Sequence, residues 1–237
     1  MRIRAQGEGG VVVELGDAID PAVNARVHLL ARAIRERLGG DVLEVVPSYR
    51  SLLVIHDPLT TPRDRVVERV RALADEVERA PAPAAGRIVR IPTRYGGVHG
   101  PDLADVARLA GLDEDEVVRR HAAPRYLVHF LGFTPGFPYL GGLDPALATP
   151  RLDSPRARIP AGSVAIGGVQ TGIYPVESPG GWRIVGRTPL RLFDSRRPDP
   201  FLLAPGDGLR FVPVDDATYD AVLADVGSGR HEPEVEE

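Results

Sequence analysis

Three stretches in the second half of the chain carry the residue types that small-molecule sites use. Residues 131–143 read LGFTPGFPYLGGL, residues 155–175 read PRARIPAGSVAIGGVQTGIYP, and residues 177–194 read ESPGGWRIVGRTPLRLFD. Each supplies glycine where backbone must approach another group closely or take a positive φ, and proline that stiffens the segment. Each also supplies an aromatic ring to form a wall. A single glycine of this kind marks a tight corner in a compact barrel. Three such segments, holding Gln170, Thr171, Ser178, Arg183 and Arg187, read together as a lined pocket. The expectation is that they converge, with Phe137, Gln170 and Gly181 on one shared cleft. Trp182, the only tryptophan, belongs either to the core or to the apolar floor of that site.

The chemistry open to such a pocket is bounded by what the chain lacks. It has no cysteine, so disulfides, zinc–thiolate sites and cysteine nucleophiles are excluded. All 29 basic residues are arginine, so no Schiff-base lysine and no Walker lysine can operate. A phosphate or carboxylate must be held by arginine or by backbone N–H groups. The sequence has no G-x-x-x-x-G-K, G-x-G-x-x-G, G-x-S-x-G or H-E-x-x-H pattern. The histidines, at 28, 56, 99, 121, 129 and 231, are scattered and none pairs at metal-ligand spacing, so no metal site is expected.

The elements that must position the pocket follow from periodicity. The 237 residues carry a net charge of −4, which argues against a generic nucleic-acid or anionic-membrane binder. No apolar run of about 18 residues and no signal-peptide core is present, and a cytoplasmic protein is expected. Residues 11–15 are a β-branched run. Asp20-Pro21 caps a helix whose Val23, Val27, Leu30, Ile34 and Leu38 share a face, and Gly39-Gly40 stops it. Residues 42–46 and 52–55 read as strands joined by a hairpin. Thr61-Pro62 opens a second helix with Val66, Val70, Leu73 and Val77 on one face. "APAPAAG" (80–86) breaks it, and residues 87–91 give another strand. The order β-α-β-β-α-β predicts a ferredoxin-like unit of roughly 90 residues, with the N-terminal domain placed at 1–86.

Residues 100–122 contain two short helices, with Asp113 and Glu116 resembling a capping box. Their length allows a helix-turn-helix, but the second helix opens on four acids that would face phosphates, so a packing role is expected. Short apolar runs at 126–130, 163–169, 182–185, 190–193 and 209–212 have the texture of an all-β barrel over 87–226. The acidic end, 227–237, is expected to be disordered. The fold class is therefore α+β.

The motifs LGFTPGFPYLGGLD, ATPRLDSPRARIPAGSVAIGGVQTGIYPVESPGGWRIVGRTPLRLFD and YGGVHGPDLADVA closely resemble the family of the B subunit of bacterial ATP-dependent 5-oxoprolinase. The family is also labelled allophanate hydrolase subunit 1, sporulation-kinase inhibitor and carboxyltransferase-domain protein, and its domain occurs fused in urea carboxylase. The likeness runs from VVVELGDAID to GDGLRFVP. It implies a small α/β N-terminal domain followed by a cyclophilin-like β-barrel. It implies a related barrel partner, the C subunit, and a third component, the A subunit. It implies opening of 5-oxo-L-proline to L-glutamate with ATP, and with Mg2+, at a site shared with a partner. Two other activities stay open: a urea- or allophanate-type carboxyltransferase or hydrolase subunit, and a histidine-kinase inhibitor.

Under that resemblance, Arg187 and Arg183 are the cations nearest to hand for a transferred phosphoryl group, and the backbone around Gly180-Gly181 is a candidate anion nest. His121 matches a family histidine and is the candidate general acid or base, the alternative being a structural histidine at a helix C-terminus. Phe133, Phe137 and Tyr139 read as a rigid wall stiffened by Pro135 and Pro138, beside a small polar ligand or a subunit interface. Gly136, Ser163 and Tyr174 complete the expected lining. Arg94 and Val98, flanking Tyr95-Gly96-Gly97, depart from the family pattern.

Overall fold

The computed structural model describes residues 1–81 and 86–236. The chain forms two compact units, 1–84 and 85–237. The break expected over 80–86 falls largely on residues 82–85, which lie outside the described residues, as does Glu237.

In the first unit, β1 (Arg2–Gln6), β2 (Gly10–Glu14), α1 (Pro21–Leu38), β3 (Glu44–Pro47), β4 (Ser51–Ile55) and α2 (Arg63–Arg79) follow in order. The Asp20 carboxylate accepts the Ala22 and Val23 N–H groups at 2.8 and 3.0 Å, which starts α1 on Pro21. Val27, Leu30, Ile34 and Leu38 are buried against Val11, Val13, Leu52 and Val54 of the sheet and Val66 and Val70 of α2. The sheet is antiparallel in the order β1-β2-β4-β3. That is the order of a ferredoxin-like sheet, with one difference from the expected chain path. The outer strand beside β2 comes from the start of the chain and not from the residues after α2. The run at 87–91 is instead committed to the second unit, where its alternating buried positions Val89 and Ile91 join another core.

The second unit begins with β5 (Ile88–Tyr95), α3 (Leu103–Ala110), α4 (Glu114–Ala122), β6 (Tyr126–Gly132) and β7 (Phe137–Gly141). It continues with β8 (Arg156–Ile159), β9 (Ser163–Gly167), β10 (Gln170–Ile173), β11 (Ser178–Gly180) and β12 (Arg183–Arg187). It ends with β13 (Gly208–Pro213), α5 (Asp216–Ser228) and β14 (Val235–Glu236). The main sheet runs β10-β9-β12-β5-β13-β6-β7, and β8 pairs with β11 apart from it. Its two ends meet: a Cβ at Gly172 of β10 would lie 2.9 Å from the Phe137 ring and 3.2 Å from the Pro138 carbonyl of β7. The sheet is thus a nearly closed, cyclophilin-like barrel. Tyr126, Val128, Val164, Ile166, Ile173, Leu209 and Phe211 fill it, and Val106 and Val117 join α3 and α4 to the same core. The two short helices therefore pack on the barrel. No helix among the described residues is long and apolar enough to cross a membrane.

Three features differ from the expectations. Residues 137–141, which show no strand alternation, form β7 and pair with β6, with Pro138 opposite Leu131. Proline is tolerated there because β7 ends the hydrogen-bonded path. Residues 190–193 form no strand and contribute only the isolated bridge Phe193–Phe201. The tail from 227 is structured through 236. Helix α5 runs to Ser228 and stops on left-handed Gly229, and β14 then pairs with Val89 and Ile88 of β5. The helix is held by the Asp215 cap on Thr218 N–H and by buried Tyr219 and Val226.

Candidate functional site

An aromatic cleft of about 350 Å³ opens where the turn into β7, the loop before β8 and the β11–β12 turn come together. Phe137, only 2% exposed, is its hub. Its ring meets Phe133, Tyr139, Tyr174 and Trp182 at centroid distances of 5.5, 5.3, 5.4 and 5.5 Å, all steeply tilted edge contacts. Edge-to-face packing of this kind fixes each ring against its neighbour and leaves a slot with rigid walls.

The backbone of this region is held in strained or close-packed form. Phe133 has φ 61° and is 62% exposed, a left-handed conformation that costs a bulky residue about 1–2 kcal/mol. The turn that imposes it is closed by Thr134 N–H to the Gly132 carbonyl and Phe137 N–H to the Thr134 carbonyl, at 2.6 and 3.0 Å. Gly180 is closely packed: a Cβ there would sit 2.3 Å from the Tyr174 hydroxyl oxygen and 2.9 Å from Ile159 Cδ1, so both side chains would have to shift. Behind the cleft, the buried Asp102 carboxylate accepts both Arg156 terminal nitrogens at 2.7 and 2.8 Å and the Ile184 N–H at 2.7 Å. That one side chain joins the start of α3 to β8 and β12.

Arg151 is the cation of the cleft. Its guanidinium carbon lies 5.8 Å from the Trp182 ring centroid, within cation–π range. Nearby Arg156 and Arg183 are paired with Asp102 and Asp105. Among the described residues Arg151 enters no ion pair, and none of the residues lining the cleft is acidic. No group of His, Asp or Glu among the described residues is arranged to hold a metal ion. A second cavity, about 410 Å³, lies between residues 190–202 and the end of α5. It lacks an aromatic wall, and its carboxylate, Asp194, is already gripped by Arg196 and held below the usual carboxylate range by that contact.

Of the residues expected from sequence, Phe133, Phe137, Tyr139, Tyr174, Gly180, Gly181 and Trp182 line the cleft together. Trp182 is both buried in a small aromatic core and part of the lining of the slot. Pro135 and Gly136 line a shallower neighbouring hollow with Phe133 and Phe201. Gln170 opens β10 opposite Gly167 and is not part of the lining. Ser163 is buried and donates its hydroxyl to the Pro160 carbonyl at 2.8 Å. Ser178 is buried, and its hydroxyl has no hydrogen-bond partner among the described residues, one position before the lining residue Pro179. Arg183 donates Nε to the Pro150 carbonyl and pairs with Asp105, so both of its faces serve the scaffold. Arg187 donates Nε to the Ala161 carbonyl and does not line the cleft. Three lining residues, Arg151, Pro155 and Pro179, were not expected; Pro-Arg at 150–151 falls just ahead of the glycine-rich segment and carries no periodic signal.

His121 has a different place from the one expected of a general acid or base. It is fully buried in the barrel. Thr171 donates its hydroxyl to the Ala165 carbonyl at 3.0 Å, so at 2.8 Å it must accept from His121 Nε2–H. His121 Nδ1 then accepts the Tyr95 hydroxyl at 2.8 Å, and Tyr126 donates to the His121 carbonyl at 2.8 Å. Burial pushes the imidazole pKa down to about 3 and the Tyr95 phenol up. The ring is a neutral tie between α4, β5 and β10. Both nitrogens are used, and neither faces the cleft.

Comparison with known proteins bears on the whole chain. Residues 1–203 match the family "carboxyltransferase domain, subdomain C and D". Over 93% of this chain and 95% of its own length, a Bacillus subtilis protein named as the B subunit of 5-oxoprolinase is 39% identical. A protein of the same name from Escherichia coli O157:H7 is 46% identical over 87% of this chain and 93% of its own length. Among solved structures, the Kluyveromyces lactis urea carboxylase superposes with a TM-score of 0.82 at 22% identity. The match covers 99% of this chain but 23% of that protein, and it speaks for the fold alone.

Proposed function

Because the chain belongs to the carboxyltransferase-domain family, subdomains C and D, and within it groups with the B subunits of 5-oxoprolinase, we propose that it is the B subunit of an ATP-dependent 5-oxoprolinase. The observation that carries this is near full-length agreement with two bacterial proteins of that name. The name itself implies a multi-subunit enzyme, and the partners are a related barrel protein, the C subunit, together with the A subunit. The reaction takes 5-oxo-L-proline, ATP and two waters to L-glutamate, ADP and phosphate.

A five-membered lactam is a poor electrophile, because its nitrogen lone pair is delocalised into the carbonyl. Phosphoryl transfer from ATP to the amide oxygen, with ADP leaving, removes that stabilisation. One water then attacks the carbon and the ring nitrogen leaves as the amine, giving γ-glutamyl phosphate, and a second water hydrolyses that acyl phosphate to glutamate and phosphate. Catalysis then rests on positioning and on charge stabilisation. The cleft suits the positioning part: its rigid aromatic walls match a small flat ring. The chain has no lysine and no nucleotide-binding signature, so ATP, with Mg2+, belongs at a site completed by a partner. Nothing in the lining supplies acidic ligands for the metal. The test is reconstitution: the three purified subunits should convert 5-oxoproline to glutamate with ATP, and omitting this chain should abolish conversion. Full conversion without it would overturn the assignment.

A further inference from the structure

We propose that Arg151 is the carboxylate anchor of the aromatic cleft, and that the cleft takes a small planar ring bearing a carboxylate; this rests on reading the cleft as the lactam site. Three observations converge. The guanidinium lies over the Trp182 ring, so its position is set by the wall of the cleft and not by an ion pair. It is exposed and enters no ion pair among the described residues, while the neighbouring arginines 156 and 183 are each satisfied by an aspartate. No acidic residue lines the slot, so its field is that of one uncompensated cation above apolar rings. A guanidinium beside a low-dielectric wall binds a carboxylate in bidentate fashion more strongly than one in open water. The rings would then hold the flat lactam and leave its amide at the turn formed by Gly180 and Gly181. The cleft thereby selects an amino-acid-derived lactam over a neutral one.

Trp182 is the chain's only tryptophan, and it reports directly on the cleft. The full chain, alone and in complex with its partner subunits, is titrated with 5-oxoproline and with 2-pyrrolidinone, the same ring without its carboxylate. For the chain alone the readout is Trp182 fluorescence; for the complex it is kcat/KM. The acid should bind at least about tenfold more tightly than the neutral lactam, equivalent to about 1.4 kcal/mol. Arg151→Ala should erase that preference, raising KM for 5-oxoproline with little change in kcat, and Arg151→Lys should restore part of it. An active complex whose kcat/KM is unchanged by Arg151→Ala overturns the anchor. So does an isolated chain whose Trp182 fluorescence does not respond to millimolar 5-oxoproline, taken together with a complex whose kcat/KM does not distinguish the acid from the neutral lactam. A complex with no 5-oxoprolinase activity, but with carboxylate binding that Arg151→Ala abolishes, overturns the assigned reaction and leaves the anchor standing.

Discussion

His121 and Gly180 show what single residues contribute. His121 is neutral and buried with a pKa near 3 when folded, against 6.5 for an exposed imidazole. Between those values the unfolded chain takes up a proton that the folded chain refuses. Stability is therefore fully present above pH 6.5 and falls with acidification by about 1.4 kcal/mol per pH unit from this group. Replacing His121 with Asn should cost stability at pH 7 through the broken Tyr95–His121–Thr171 chain, and should flatten the dependence of unfolding free energy on pH between about 6 and 4. Urea unfolding at several pH values measures both. An unchanged slope would mean that the imidazole is not held neutral. Gly180→Ala should drive a methyl into the Tyr174 hydroxyl and lose about 1–3 kcal/mol together with ligand binding. Gly181→Ala should be tolerated, since its Cβ would meet nothing closer than 3.7 Å. Thermal melts of the two variants separate a shape requirement at 180 from simple glycine sensitivity of the turn. Sequence carried the aromatic and glycine members of this cleft because their composition is unusual. It could not carry Arg151, whose role depends on a ring 31 positions away and on the absence of an aspartate beside it.

At the scale of elements, local signals determined what was legible. Asp20-Pro21, Thr61-Pro62 and the helical faces behind them placed α1 and α2 near their observed bounds, and the Asp113 cap lies within the two short helices expected over 100–122, where α3 and α4 are found. Helix α5 had comparable signals: Asp215 as cap, Tyr219, Val222 and Val226 on one face and Gly229 as stop. They fall inside the span expected to be β-barrel and run into the tail expected to be disordered, so no helix was expected there. Strand β7 was illegible because its pairing with β6 is non-local and its own sequence contains proline and paired glycines. The same limit explains β1, whose single-turn link to β2 lies in a charged N-terminal run. The tie at Asp102 is invisible in sequence for a related reason, since it joins residues 54 and 82 positions away. Asp102→Ala should leave the Arg156 charge and the Ile184 N–H unpaired and cost about 3–5 kcal/mol, measurable as a lowered urea midpoint. Loss of less than about 1 kcal/mol would mean that water replaces the carboxylate.

For the whole molecule, the proposed reaction consumes ATP, yet the sequence has no G-x-x-x-x-G-K or G-x-G-x-x-G pattern and no lysine. The proposed lactam cleft has aromatic walls, one cation, and no acidic lining residue. Beside it, Phe133, Pro135, Gly136 and Phe201 form an apolar hollow, with Phe133 and Phe201 exposed at 62% and 37%. Exposed apolar surface of this kind marks binding sites, and burying one phenylalanine is worth about 1.5–3 kcal/mol. A partner barrel seated there would close the cleft and bring the missing phosphate ligands to it. The isolated chain is accordingly expected to release no more phosphate from ATP with 5-oxoproline than without it, while addition of the C subunit gives a stable complex and the A subunit gives full conversion. Phe133→Asp should weaken the complex with the C subunit by at least tenfold, about 1.4 kcal/mol, while Arg151→Ala leaves that association intact. Phosphate release and analytical ultracentrifugation measure the two effects. Substrate-dependent hydrolysis by the chain alone would refute a shared site. Undiminished association of the Phe133→Asp variant would move the contact to another face of the barrel.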